Sequence, residues 1–307
     1  MFKRYIILST LLAILTMSMS HDPVKKLEKL NLENLPGVMK LNTNLYLDQF
    51  EITNFNWLEY TYWTKRVFGD SSDEYLSSLP DTTVWAKKDS SYAVYEHVYH
   101  KHPTYSNYPV VGISHSQAVA FSKWRSDRVF EFLLIKYEVL APNPKANAET
   151  YFTIERFFKD PKYKAYHGVK YPCYELVSKQ QWNEIVEQTN ASHQETMLKC
   201  DPDRLMNKIG LKPKYCDNII KNKKLSVYSI ERLEENNEPV TPVNSLYVKD
   251  MYFHLFGNVC ELTAEGEYTV GGGWVNTESE ILSNQPEKYL GPNCWTGFRN
   301  VCSWKNY

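Results

Sequence analysis

Residues 253–299 carry three short strings: FHLFGNVCEL (253–262), VGGGW (270–274) and GFR (297–299). Around them stand Gly257, Gly266, Gly271, Gly272, Gly273, Gly291 and Gly297, seven of the twelve glycines in the chain. Glycine at this density marks backbone that turns sharply or passes close to other backbone. The span 245–304 therefore reads as strands joined by turns.

Upstream of it the pattern becomes helical in places. Residues 54–66 fit a helix, with Trp57, Tyr60 and Trp63 near helical spacing. Ser114 is a good cap for a helix over 117–134, which puts Ala118, Phe121, Trp124 and Arg125 on one stripe, and Ser178 caps another over 179–187. Residues 22–40 read as a short helix with an exit turn at Pro36-Gly37, and 43–50 and 108–113 as strands. Residues 70–107 read as loop, 141–172 as a polar connection, and 190–240 as a polar surface excursion rich in Lys, Asn and Glu. No internal repeat is present. The simplest architecture is one α+β domain over 41–307, much of it irregular, behind an N-terminal segment 21–40.

The whole chain of 307 residues agrees with this reading. Apolar residues make up 43% and charged ones 23%, which excludes disorder and coiled coil as global descriptions. The 35 basic residues nearly balance the 36 acidic ones, so no whole-chain field draws nucleic acid or an anionic membrane. The excess lies in rings: 23 Tyr, 13 Phe and 8 Trp. Such rings pack between loops and carry polar tips that need partners.

Lys3 and Arg4, the apolar run from Ile6 to Leu15 and Ser18-Met19-Ser20 match a secretory signal peptide over 1–20, with cleavage expected before His21. No cysteine near that point offers a lipid attachment site. The six cysteines, Cys173, Cys200, Cys216, Cys260, Cys294 and Cys302, all follow it. An even number in an oxidising compartment suits disulfides without fixing their pairing. Cys200 and Cys216 bracket a polar segment that a staple would hold, and Cys294 with Cys302 is a second candidate pair.

Common catalytic signatures are missing: the chain has no GxxxxGK[ST], GxGxxG, HExxH or GxSxG. His97, His100 and His102 lie within one short stretch, but no carboxylate accompanies them at a ligand spacing, so an ordinary polar loop is the better reading. Asn190-Ala191-Ser192 is a glycosylation sequon.

In chain order, LYLDQFEITNFNWLEYTYW (45–63), YPVVGISHSQAVAFSKW (108–124), YELVSKQQWNEIVE (174–187) and the three C-terminal strings resemble the blocks of the formylglycine-generating-enzyme (sulfatase-modifying factor) family. The resemblance covers about residues 41–304 and implies that family's C-type-lectin-like α+β fold, low in regular secondary structure. LPDTTVW (79–85), HPTYSNYPVVGIS (102–114) and KWRSDRVFEFLLI (123–135) look like the domain found in gliding-motility lipoproteins of the type 9 secretion machinery. That subfamily implies an exported protein of the periplasm or outer membrane with protein partners in a secretion or motility complex.

Enzymes of this family carry a C-x4-C pair between the G-G-S-W and G-F-R blocks and bind copper with it. Here only Cys294 lies between Trp274 and Gly297, and Cys302 follows GFR. The resemblance without the pair implies a non-catalytic domain without copper, and favours a disulfide for Cys294 and Cys302. It also implies a calcium site: the carbonyls of Gly257 and Val259 and the carboxylate of Glu261 occupy the ligand positions, while His254 departs from the pattern. Trp124, Trp182, Trp274 and Phe298 are expected in the core, and Arg299 in a buried ion pair or on backbone carbonyls. The tyrosines of 92–108, with Tyr92, Tyr95, Tyr99 and Tyr105 foremost, are candidates for partner contact, against the alternative that they are buried. Two other functions stay open: a copper-dependent thiol oxidase and, by analogy of fold, a carbohydrate- or peptide-binding module.

Overall fold

The computed structural model describes residues 23–28, 35–188, 239–243 and 252–307. The expected signal segment 1–20, nearly all of the 190–240 excursion, Cys200 and Cys216 lie outside the described residues.

Two long helices form where cap and apolar stripe agree. Helix α1 (Asn54–Phe68) begins at Thr53, whose hydroxyl accepts the Asn56 N–H while the Asn56 side chain accepts the Thr53 N–H. Helix α2 (His115–Lys136) begins with the same reciprocal pair between Ser114 and Gln117. Trp57 and Tyr60 of α1 pack with Phe121 and Ala118 of α2 around Phe298 and Ile113, all in one core cluster. A further helix occupies 179–188, and its Trp182 and Ile185 are fully buried.

The strands make two small sheets, so the fold is mixed α+β. One sheet has the order β1-β2-β8-β3, where β1 is Val38–Lys40, β2 Tyr46–Asp48, β3 Tyr171–Leu176 and β8 Asn300–Lys305; every pairing in it is antiparallel. The other has the order β6-β5-β4-β7, where β4 is Cys260–Leu262, β5 Tyr268–Val270, β6 Glu287–Lys288 and β7 Thr296–Gly297, and its β4–β7 pairing is parallel. The C-terminal strand β8 thus runs between β2 and β3 and ties the two ends of the described chain together. Helix α2 packs across β3.

Several expected elements differ. Only Tyr46–Asp48 of 43–50 is strand, because Asn42 Oδ1 accepts the Asn44 and Leu45 N–H groups and holds a turn. Residues 108–113 form an extended segment bridged to Thr53 at Pro109, but no strand. Pro109 has no N–H to give, and Gly112 turns away at φ +71° so that its carbonyl takes the Asp81 N–H. A Cβ at Gly112 would lie 2.4 Å from Asp81 O. The stretch 70–107 contains three short helices, Asp73–Leu76, Val84–Lys88 and Tyr95–Val98. The polar connection 141–172 hides a helix, Ile154–Lys159, capped by Thr153. Its Ile154, Phe157 and Phe158 pack on Phe130 and Leu134 of α2. Its apolar residues crowd into a single turn, too few to register as a periodic stripe.

β3 is an edge strand, and α2 closes that edge with a side chain. Ser126 Oγ accepts the Tyr174 N–H at 2.8 Å and donates to the carbonyl of Ser122 at 2.9 Å. Ser126→Ala leaves a buried N–H without an acceptor and is expected to cost about 1–2 kcal/mol, read as a lower Tm by circular dichroism. Among the described residues no helix is long and apolar enough to cross a membrane.

Candidate functional site

The C-terminal strings converge on Arg299, which lies between β7 of one sheet and β8 of the other and is fully buried. Its Nε donates to Glu261 Oε1 at 2.6 Å, and Nη2 to the carbonyls of Phe253 at 2.8 Å and His254 at 2.9 Å. Nη1 reaches the Asp48 carbonyl at 3.4 Å. One guanidinium therefore joins β2, β4 and the loop 253–259. His254, Gly257 and Asn258 bring that loop round at positive φ of 49°, 82° and 58°, and Asn and His accept that region more readily than most residues.

Glu51 stands on the far side of the same cluster. Asn258 Nδ2 donates to Glu51 Oε1 at 3.0 Å, and Asn258 Oδ1 accepts the Thr241 N–H at 3.0 Å. Both carboxyls are buried, and one oxygen of each, Glu51 Oε2 and Glu261 Oε2, makes no hydrogen bond. Burial pushes the Glu51 carboxyl up to about 8; the charge of Glu261 adds to this and Arg299 opposes it. Burial pushes Glu261 up to about 7 against the pull of Arg299. Two acids thus share one base, and at neutral pH the cluster retains a proton on the acid side. A second pair buttresses the first. Arg125 of α2 grips Asp48 with two bonds of 2.7 and 2.8 Å, its guanidinium lies 4.1 Å from the Tyr174 ring centroid, and the Asn300 N–H donates to Asp48 Oδ2 at 2.9 Å.

The buried ion pair expected of Arg299 is present, with the carbonyl contacts as well. Gly257, Val259 and Glu261 are in one loop and are closed to solvent, but Glu261 Oε1 is engaged by Arg299. His254 contributes no carboxylate or amide oxygen. Glu261 Oε2 keeps no hydrogen-bond partner, nor does Glu51 Oε2 in the same cluster.

The described cysteines, Cys173, Cys260, Cys294 and Cys302, are free. The expected pair between Cys294 and Cys302 is not formed. Cys302 lies in mid-sheet opposite Tyr46 and Tyr174, whereas Cys294 packs with Trp85, Tyr99 and Val259 in another cluster. Burial pushes all four thiols up, Cys294 to about 11, so each is protonated at neutral pH. Cys260 faces Asn276, with Sγ 3.6 Å from its Oδ1.

Around Cys294 lies the aromatic segment. Tyr99 is fully buried and its hydroxyl donates to Pro109 O at 2.7 Å, which removes it from the contact candidates. It serves instead as a post for the segment. Tyr99→Phe is expected to cost about 1–2 kcal/mol of stability in urea denaturation, through loss of that buried bond. Tyr92, Tyr95 and Tyr105 are half-buried. Tyr92 and Tyr95 pack on Trp85, and Tyr105 on Tyr95 and Tyr99. Exposed Lys88 lies 5.1 Å from the Trp295 ring centroid and 6.0 Å from that of Trp274. Asn54 fastens this segment to α1: its Nδ2 donates to the carbonyls of Tyr99 and Tyr105, both at 3.0 Å. His100 Nδ1 sits 3.1 Å from Asn54 Oδ1, and burial pushes that imidazole down to about 4. Among the described residues, no three His, Cys, Asp or Glu side chains gather as a metal group, and His97, His100 and His102 do not converge. Trp182 and Phe298 are fully buried; Trp124 and Trp274 are half-buried.

Sequence reasoning missed Glu51, Thr241 and the Asp48–Arg125 pair. The signal for Glu51 was a lone acid in the otherwise uncharged string FEITN (50–54). Two clefts, of about 440 and 370 Å³, open on opposite flanks of α2. The first is walled mainly by apolar groups and the Cys173 thiol, and the second by Arg125, Arg128, Trp124 and Asn56. No family model matches this chain, and no curated protein matches it.

Proposed function

We propose that this chain is a non-catalytic, exported domain of the C-type-lectin-like formylglycine-generating-enzyme fold, and that it acts as a structural or interaction subunit. The motif resemblance extends the reading to the periplasm or outer membrane, in association with gliding-motility or type 9 secretion machinery. The observation that carries the non-catalytic part is the setting of Cys294. It is the thiol nearest in sequence to the family's catalytic pair, yet it is protonated, enclosed by rings and apart from the other described thiols. Soft copper chemistry needs thiolates converging on one ion. The observation that supports an interaction role is the half-buried surface of Tyr92, Tyr95, Tyr105, Trp274 and Trp295 beside Lys88. Large rings held by their neighbours form contacts at low entropic cost, and such residues dominate binding energy at interfaces.

Affinity purification of the tagged protein from its native envelope, followed by mass spectrometry, tests this reading. Secretion or motility components are expected in the wild-type sample. The variant Tyr92→Ala/Tyr105→Ala is expected to recover them about tenfold less well while keeping its fold. Recovery of the protein alone would refute the proposal.

A further inference from the structure

We infer that the cleft between α2 and β3 is a binding site for a small primary amine on an apolar stem, whose ammonium group pairs with Asp127. The cleft holds about 440 Å³, within the range of about 300–1,000 Å³ usual for small-molecule sites. Its wall is apolar at Val119, Tyr171, Leu176, Ala264 and Tyr307. Three acids and one base also line it, Asp127, Glu155 and Glu175 against Lys123. That balance favours a positively charged ligand.

The three acids differ in what they already hold. Lys159 reaches Glu155 at 2.5 Å and Lys305 reaches Glu175 at 2.6 Å, in both cases on the exposed surface. Asp127 is only 7% exposed and forms no ion pair among the described residues. Its Oδ1 accepts the Ile154 N–H at 2.8 Å. Its Oδ2 makes no hydrogen bond and is not sealed in as Glu51 Oε2 is, so it opens into the cleft that Asp127 lines. Neighbouring Arg128 is taken by Glu131 and the Phe152 carbonyl. Burial raises the Asp127 carboxyl against the Ile154 N–H and the charges of Arg128 and Lys123. A carboxylate in this setting lacks a near cation, and an ammonium group supplies one. Tyr171 and Tyr307 both pack on the Phe158 ring, with centroids 6.1 and 4.7 Å from it, and ring faces attract the same charge. The cleft shares no residue with the surface of Tyr92, Tyr95 and Tyr105, so the inference stands or falls separately from any envelope partner.

Isothermal titration of the purified protein with phenethylamine and with 2-phenylethanol tests it. The amine is expected to bind at least about tenfold more tightly than the alcohol, which has nearly its shape without its charge. Asp127→Asn keeps the oxygen that accepts the Ile154 N–H, and it is expected to weaken the amine about tenfold or more while leaving the alcohol unchanged. Absence of amine binding, equal affinity for amine and alcohol, or an amine affinity that Asp127→Asn leaves intact would each overturn the inference. Should Asp127→Asn fail to fold, Val119→Arg takes its place. Val119 is exposed on the cleft wall, so the new guanidinium competes with the ammonium group without disturbing the core. It is expected to weaken the amine about tenfold, and unchanged binding would overturn the inference.

Discussion

Arg299→Ala is expected to unfold the domain, or to cost at least about 3–5 kcal/mol in urea denaturation followed by circular dichroism. The substitution leaves a cavity, and the larger effect is electrostatic. Glu261 is left buried with no base beside it, so that it must either bury an unpaired charge or take up a proton, and the carbonyls of Phe253, His254 and Asp48 lose their donor. Arg299→Lys retains the charge but not the fork, so it is expected to restore only part of the loss. The double variant Glu261→Gln/Arg299→Met provides a control. Removing both charges at once avoids the unpaired ion, and its cost is expected to be smaller than the sum of the two single changes. Additive costs would show that the two groups act independently.

Glu51 is expected to make stability fall as pH rises from 4.5 to about 8, together with Glu261, raised from 4.5 to about 7, and Glu51→Gln is expected to remove the Glu51 share of that slope. The folded state raises the Glu51 carboxyl from 4.5 to about 8. Between those values the folded chain holds a proton that the unfolded chain has released, and stability drops as pH rises. Above about 8 both states are ionised and the loss is complete, about 3–5 kcal/mol. Glutamine keeps the oxygen that accepts from Asn258 and has no charge to bury. The variant should therefore match the wild type in acid and exceed it in base. His100 acts in the opposite sense, because burial moves its imidazole from 6.5 down to about 4 and stability from it is lost as pH falls through that range. Asp81, Asp89, Glu155, Glu265 and Glu280 have lowered carboxyls and lose their contributions only in more acid solution. The difference between wild type and Glu51→Gln cancels these groups. A Tm difference that stays constant with pH would reject the assignment.

The two long helices were legible because cap, stripe and termination agree in α1 and α2. The helix at Ile154–Lys159 was not, since its three buried apolar residues stand among charged neighbours in a single turn. Arg299 was legible as a buried ion because it stands in the GFR string directly after Phe298 and shortly before Val301 and Cys302. Its Glu261 partner lay in a named string, but Glu51 is nearly 250 residues away in sequence, and only strand pairing brings it there. The cysteines failed for a related reason. Spacing makes Cys294 and Cys302 near neighbours, whereas β8 pairs on both sides and carries Cys302 into the middle of a sheet. Within the tyrosine segment, short helices and turns alternate without a single period. Nothing local therefore separates Tyr99, which is buried, from Tyr92, Tyr95 and Tyr105, which are partly open.

The closed edge of β3 bears on how copies of this chain meet. A free strand edge offers a row of N–H and C=O groups to any other extended chain and so invites intermolecular pairing. Here Pro172 has no N–H, the Tyr174 N–H is held by Ser126, and Val177 is bridged to Thr263. An arriving strand would find no regular ladder to extend. At high local concentration the β3 edge is therefore a poor seed for fibrils or swapped dimers.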